Sequence, residues 1–320
     1  MAQDPQFSQF YAAPLYLNPA FAGSNEQTRV GLNFRSQWPS LNASFNTASV
    51  YMDHFFEDYY SGVGLMITGD QESLSGMQSL SVSGLYAFQL RITDKLTFRP
   101  GFSVGFMNRR VNFGNLVFPD QVTDNGITPE TIESLNAPGS RIFLDLGTGG
   151  ILYNDNFFLG FAAHHINRPN QSILAEQSIL PIKYSVHGGY KFLLPTGFRQ
   201  YGKDNKGRER SITPAVNYKR QGPFDQLDMG VYLTYEPIVF GLWYRGLPVK
   251  QVDGFSNNES VIFLVGMSRG SLNIGYSFDY TISGLGIGSG GAHEISLSYD
   301  LDLTPNRPPR NVRKIPCPKF

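Results

Sequence analysis

The chain has 320 residues, and its 26 Lys and Arg equal its 26 Asp and Glu, so the formal net charge is zero. Without a basic excess the sequence lacks the electrostatic footprint of a nucleic-acid-binding protein, and a single cysteine excludes a disulfide framework or a cysteine-based zinc site. Only 16% of the residues are charged, 14% are aromatic and 34 are glycine. No apolar run approaches the ~20 residues of a spanning helix. Together these features favour an all-β protein that spans a membrane as a barrel.

Residues 1–27 form a segment that differs from the rest of the chain. It is rich in aromatic residues, is interrupted by Pro5, Pro14 and Pro19, and does not alternate in polarity as a strand would. Aromatic side chains gain from burial, and the lumen of a barrel is the nearest place for them. The segment is therefore predicted to plug the lumen. The predicted plug residues are Phe7, Phe10, Tyr11, Asn18, Pro19 and Phe21.

Residues 28–303 repeat one pattern, in which apolar side chains alternate with polar or small ones. The stretch from Leu272 to Ile282 is an example. This period of two indicates β-strands, about nine to fourteen residues long, which suits the ~9–11 residues of a tilted transmembrane strand. The sequence therefore predicts an antiparallel transmembrane barrel of about fourteen strands. The predicted strands are 28–36, 44–55, 59–69, 77–90, 95–108, 141–152, 156–165, 182–193, 210–219, 226–236, 238–246, 258–268, 271–282 and 292–302.

The connections between these strands alternate in length, as expected for a membrane barrel with short periplasmic turns and longer external loops. The connections after predicted strands 2, 4, 6, 10 and 12 are short, and the loop at 109–140 is the longest of the others. One connection, 194–209, falls on the short-turn side although it is long. An even number of strands predicts that both termini lie on the short-turn, periplasmic side.

Residues 304–320 contain five basic residues and five prolines and no acidic residue. Prolines at this density are incompatible with a helix or a central strand, so the tail is predicted to be extended. Two interpretations stay open at this point, a disordered end and a peptide that docks on a partner.

The ionisable residues give little sign of catalysis. His164 and His165 are adjacent, so on a strand they face opposite sides and cannot ligate one metal ion. Asp279, Asp300 and Asp302 are expected inside the barrel, where they could hold a cation, although pairing with arginine is favoured. The candidate partners are Arg29, Arg35, Arg99 and Arg245. With no nucleophile–base motif in the sequence, no enzymatic activity and no cofactor are expected.

Three motifs at the start of the chain carry a family resemblance. They are Gln6-Phe-Ser-Gln-Phe, Asn18-Pro-Ala-Phe-Ala-Gly and Arg35-x-Gln37-Trp38-Pro39. In this combination the chain resembles the PorP/SprF family of Bacteroidetes outer-membrane proteins, which belong to the type IX secretion and gliding machinery. The resemblance extends over most of the chain, because the strand pattern through Leu303 agrees with it.

The resemblance implies a non-enzymatic outer-membrane protein that binds secreted adhesins through their type B C-terminal sorting domain, for export or surface anchoring, and contacts the periplasmic lipoprotein ring or a peptidoglycan-associated partner. The loops 109–140 and 167–180 are predicted to contact the adhesin, and the loop 194–209 and the tail to contact periplasmic machinery. The residues predicted for these contacts are Arg110, Phe113, Phe118, Arg168, Arg199, Tyr201, Arg310, Arg313 and Lys314.

A rival interpretation is a barrel that transports a small apolar or amphipathic solute. Its support is a more distant likeness of Asn18-Pro19-Ala20 to the start of the hatch in fatty-acid-transporter barrels.

Overall fold

The computed structural model describes most of the chain. The described residues are 4–25, 27–111, 121–123, 126–128, 139–173, 177–197, 200–202, 207–252, 255–284, 286–303, 314–318 and 320.

Fourteen long antiparallel strands form a closed barrel. Each strand pairs with its neighbours in the chain, and the barrel closes because the last strand pairs with the first over Thr28–Gln37 and Ala292–Leu301. The strands are β1 (Thr28–Gln37), β2 (Phe45–Phe56), β3 (Ser61–Glu72), β4 (Gln78–Phe88), β5 (Thr97–Arg110), β6 (Ser140–Tyr153), β7 (Phe157–His164), β8 (Lys183–Tyr190), β9 (Arg210–Gln221), β10 (Phe224–Tyr235), β11 (Ile238–Val252), β12 (Phe255–Arg269), β13 (Leu272–Thr281) and β14 (Ala292–Leu301).

Short elements fill the rest of the described chain. Helix α1 covers Pro14–Leu17, and 3-10 turns cover Pro19–Phe21, Glu57–Tyr59 and Ile287–Ser289. The two-residue strands Leu90–Arg91 and Phe192–Leu193 pair with β5 and β9. Two small hairpins lie outside the barrel sheet, one of Val122–Thr123 with Gly126–Ile127 and one of Pro195–Gly197 with Gln200–Tyr201. Among the described residues, no helix has the length and apolar character needed to cross a membrane.

The alternation in sequence becomes an inner and an outer surface. On β12, Ile262 and Leu264 are 0% and 4% exposed, whereas their neighbours Phe263 and Val265 are 53% and 44% exposed. Large apolar side chains are exposed in the same way on every long strand. A closed sheet satisfies its backbone hydrogen bonds internally, so such a surface is suited to lipid.

The two ends of the barrel differ in their connections. The turn end carries the connections after β2, β4, β6, β8, β10 and β12, and the loop end carries those after the odd-numbered strands. The turn end has one long connection, residues 191–209, as the sequence predicts. At the loop end, β11 and β12 run to Val252 and from Phe255, so their connection is shorter than predicted. Register shifts at Arg245/Gly246 and Leu247/Gln251 interrupt the alternation of apolar and polar residues there. The loop-end parts of β11 and β12 therefore cannot be predicted from the alternation in sequence.

Candidate functional site

Residues 4–25, called here the lumen segment, run through the barrel from one end to the other. At the turn end Asn25 donates a hydrogen bond to Asp300 of β14. At the loop end the Asp4 carboxylate lies 3.3 Å from Lys183 Nζ of β8. The sequence predicts an N-terminal segment that starts at the turn end. The structure differs, because the segment is long enough to cross the lumen and Asp4 lies at the loop end.

The aromatic residues of the lumen segment are buried among inward-facing side chains of the wall. Phe10 packs edge-on against Trp243 with ring centroids 5.2 Å apart, and Tyr11 packs in the same way against Phe158 at 5.4 Å. The six predicted plug residues, Phe7, Phe10, Tyr11, Asn18, Pro19 and Phe21, are all buried. Their role as a plug stays a prediction.

Asn18 sets the course of the lumen segment near its middle. Its side chain accepts the Ala20 N–H at 2.9 Å, which caps the 3-10 turn Pro19–Phe21. The same amide donates to the carbonyl oxygens of Phe161 at 2.9 Å and Gly150 at 3.2 Å. One side chain thus shapes the turn and ties it to β6 and β7.

Wall glycines allow the backbone of the lumen segment to approach. A Cβ atom on Gly101 would lie 2.5 Å from the Ala20 Cα, and one on Gly62 would lie 2.6 Å from the Ala22 carbonyl carbon. Arg99 donates from its guanidinium to the carbonyl oxygens of Ala20 at 3.2 Å and Ala22 at 2.6 Å. The segment therefore contacts the wall through its main chain as well as through its side chains.

A group of buried charged residues binds the start of the lumen segment. This charge cluster consists of Arg35 on β1, Asp228 on β10, Arg245 on β11, Asp279 on β13 and Glu294 on β14. Arg245 lies 2.7 Å from Asp228 and 2.9 Å from Asp279. Arg35 lies 2.8 Å from Asp279 and 3.5 Å from Glu294. Buried charges need such partners to offset the loss of hydration.

Ser8 and Gln9 complete the charge cluster. The Ser8 hydroxyl donates to Asp279 at 2.6 Å and accepts from Arg35 at 2.7 Å and Arg245 at 2.9 Å. The Glu294 carboxylate accepts the backbone N–H of Ser8 at 2.6 Å and of Gln9 at 3.0 Å. Two residues of the lumen segment are thus bonded directly to four strands, β1, β11, β13 and β14, and through Arg245 to Asp228 of β10.

The pairing predicted for the inward acids is confirmed for Asp279, whose partners are Arg35 and Arg245. Arg29 instead pairs with Asp53, with the Nε atom 2.9 Å from the carboxylate.

A second ionic group holds the outer end of the lumen segment. His165, just after β7, places Nε2 2.7 Å from Asp4 and Nδ1 2.7 Å from Asp145. Burial lowers the pKa of His165, but the two carboxylates outweigh it and raise the pKa to about 9. Burial raises the pKa of Asp4, whereas Lys183 and His165 together hold it well below its ordinary range. Asp4 and His165 are therefore both charged near neutral pH.

The turn end contains a cavity of about 850 Å³. Side chains of the short connections line it, among them Arg91, Asp155 and Glu236, and residues 314–318 of the tail form part of its wall. Ile315 and Phe320 of the tail are each 5% exposed. An extended tail is predicted from the sequence, but burial of its last residue inside the barrel is not. Residues 304–313, which join the tail to β14, lie outside the described residues.

A family profile described as "Type IX secretion system membrane protein PorP/SprF" matches residues 1–299. The chain belongs to the PorP/SprF family. It is accordingly a β-barrel component of the type IX secretion system in the outer membrane. No curated protein matches the chain.

Solved structures resemble this PorP/SprF barrel only distantly. The outer membrane protein Omp33 of Acinetobacter baumannii is 9% identical, with 86% of this chain and 98% of that chain covered and a TM-score of 0.46. The toluene transporter TodX of P. putida is 10% identical, with 90% and 93% covered and a TM-score of 0.48. Identities and TM-scores this low transfer no function to the chain.

Of the residues predicted to bind partners of this PorP/SprF protein, those in the described part of the chain lie at both ends of the barrel. Arg110 and Arg168 are exposed at the loop end, and Lys314 is exposed at the turn end. Tyr201 lies in a short strand at the turn end, and its side chain is outside the described part of the structure. Phe113, Phe118, Arg199, Arg310 and Arg313 lie outside the described residues. Their roles all stay predictions.

The polar residues that hold the lumen segment were not predicted from the sequence. Ser8 and Gln9 lie inside the first family motif between two selected aromatic residues, Phe7 and Phe10. Glu294 falls on the polar face of its strand, with Ser296 and Ser298. An acid on the inner face of a predicted barrel strand is a signal that could have pointed to a buried partner.

Proposed function

We propose that this protein is a non-enzymatic platform of the type IX secretion system, which binds a secreted adhesin through its type B C-terminal sorting domain. The observation that carries the proposal is the bonding of Ser8 and Gln9 to the charge cluster inside the barrel. Charge-assisted hydrogen bonds in a buried site are strong and geometrically specific. Because the lumen is occupied in this way, we infer that partners bind at the two ends of the barrel and that the adhesin does not pass through it.

The adhesin is proposed to bind at the loop end, where Arg110 and Arg168 are exposed. The periplasmic lipoprotein ring, or a peptidoglycan-associated partner, is proposed to bind at the turn end, where Lys314 is exposed. Exposed basic side chains steer association with acidic surfaces. The filled lumen favours surface anchoring of the adhesin over a role as its export channel.

The test is purification from the native envelope in mild detergent, followed by mass spectrometry of the proteins that come with the barrel. An Arg110→Glu/Arg168→Glu variant is expected to lose the adhesin and keep ring lipoproteins, and Lys314→Glu is expected to do the reverse. Arg220→Glu and Lys95→Glu are matched controls, because each reverses an exposed charge at the corresponding end. A barrel that brings no adhesin and no ring lipoprotein contradicts the proposal.

A second candidate, transport of a small apolar or amphipathic solute, is supported by the cavity of about 850 Å³ at the turn end. Cavities of this size suit small ligands. Solute or lipid that co-purifies with the barrel, together with ion conductance in a planar bilayer, would favour this candidate over the platform.

A further inference from the structure

Two glycines on neighbouring strands make a notch in the inner wall near the turn end. Gly266 of β12 and Gly275 of β13 are direct partners in the sheet register, and both lie on the inner face. A Cβ atom on Gly266 would come within 2.7 Å of the Phe320 Cγ, and one on Gly275 within 2.9 Å of the Phe320 Cδ2. The Phe320 ring therefore occupies space that only a pair of glycines leaves open.

The notch is completed by an aromatic side chain from the adjoining wall. The Tyr232 ring of β10 lies beside Phe320, with centroids 5.7 Å apart and planes inclined by 32°. Tyr232 in turn packs edge-on against Trp243 at 5.3 Å. Aromatic pairs at such distances add to the gain from burying apolar surface. The wall thus forms a receptor for one aromatic ring.

Phe320 of the tail and Ser8 of the lumen segment are held by different kinds of contact. Ser8 of the lumen segment is fixed by buried ionic groups on several strands. The described contacts of Phe320 are aromatic and apolar, and Ile315 joins the same buried cluster. Apolar contacts leave no unpaired charge behind when they separate. The Phe320 ring can therefore leave the notch without breaking a bond to a charged group.

The tail is also suited to leave and return as a unit. Pro316 and Pro318 restrict its backbone to extended conformations, so little conformational entropy is lost each time it docks. Residues 314–318 form part of the wall of the cavity of about 850 Å³. Removal of the tail would therefore join this cavity to the notch.

We propose that the turn end of the lumen contains an exchangeable peptide site, whose ligand is an extended, proline-containing peptide with an aromatic residue two positions after its last proline. In this structure residues 314–318 and Phe320 of the chain itself occupy the site, and the notch at Gly266 and Gly275 receives the Phe320 ring. This inference is independent of the adhesin and of the lipoprotein ring.

The experiment uses the full chain and its native Cys317, which is half-buried within the tail. The measured quantity is the rate at which a bulky polyethylene-glycol maleimide labels Cys317 in detergent. Phe320→Ala removes the ring without changing the barrel, and Gly266→Leu fills the notch. Each is expected to accelerate labelling by about tenfold or more, because burial of a Phe side chain is worth that much in an equilibrium constant. Gly84→Leu is the control, since Gly84 is exposed on the lipid face and has room for a side chain.

The exchange itself is tested by adding a synthetic peptide with the sequence of residues 314–320 and serine in place of Cys317. The peptide is expected to accelerate labelling of the wild-type chain in a concentration-dependent way, and the same peptide ending in alanine is not. Unchanged labelling in both Phe320→Ala and Gly266→Leu would overturn the proposal, because the ring would then not hold the tail. Faster labelling in the variants without any effect of the peptide would overturn exchange, because the tail would then be a permanent part of the fold.

Discussion

The contact between Glu294 and the lumen segment gives the sharpest prediction. Glu294→Gln keeps the shape of the side chain but removes its charge and replaces one acceptor oxygen with an NH2 group. In the wild type the Glu294 carboxylate accepts the backbone N–H of Ser8 at 2.6 Å and of Gln9 at 3.0 Å, and one of these two N–H groups loses its acceptor in the variant. Arg35 keeps Asp279 at 2.8 Å, so the barrel itself should stay folded.

The expected cost follows from the kind of bond that is lost. A hydrogen bond to a charged group is worth about 1.5–3 kcal/mol, so loss of one such bond should destabilise the lumen segment by that amount, roughly a 10- to 150-fold rise in its opening equilibrium. Hydrogen exchange monitored by mass spectrometry measures this opening directly. Exchange should accelerate for peptides that contain Ser8 and Gln9 and stay unchanged in β3.

The control is Glu57→Gln, which makes the same chemical change in the 3-10 turn between β2 and β3 at the turn end. Unchanged exchange at Ser8 and Gln9 in Glu294→Gln would refute the reasoning, because the carboxylate would then not hold the segment. Faster exchange throughout the barrel would refute it in a second way, because Glu294 would then support the wall and not the segment.

Three further predictions concern other contacts of the lumen segment. The pKa of His165, about 9, lies above its ordinary value of 6.5, so its pairing with Asp4 stabilises fully below pH 6.5 and is lost as the pH rises through 9. Protection of the Asp4 amide against hydrogen exchange, measured relative to the intrinsic base-catalysed rate at each pH, should therefore fall over this range in the wild type, and His165→Asn should remove this dependence. Gly101→Ala should force the segment backbone away, lowering stability by about 1–3 kcal/mol in thermal unfolding, whereas Gly84→Ala on the lipid face should leave stability unchanged. Arg99→Lys should lose at least one of its two bonds to segment carbonyls, at about 1.5–3 kcal/mol each, and protease cleavage of the segment should accelerate.

The strands could be predicted because their signal is local. A strand that faces lipid on one side and a polar interior on the other must alternate, and the prediction of 271–282 differs from β13, Leu272–Thr281, by one residue at each end. The prediction of β11 stopped at 246, whereas the strand runs to Val252. Gly246, with φ 149°, marks the irregularity that interrupts the alternation there.

The charge cluster could not be predicted because its members meet only when the barrel closes. Ser8 and Glu294 are separated by 286 positions in the chain, and their contact depends on the pairing of β1 with β14. The sequence showed inward acids and inward arginines but not which would pair. The notch that holds Phe320 was not predicted either, because it forms only when Gly266 and Gly275 lie in register on adjacent strands.

The different attachments of the two ends decide how a partner could act on this barrel. A partner that pulls on the lumen segment must break the hydrogen bonds of Ser8 and Gln9 to charged side chains and the ion pairs of Asp4 at the loop end. A partner at the turn end must displace the buried Phe320 ring and Ile315 together with a short proline-containing stretch. The two costs differ in kind, and ionic strength and pH should affect the first far more than the second. A signal that reaches the lumen from outside the barrel should therefore enter at the turn end, through the tail.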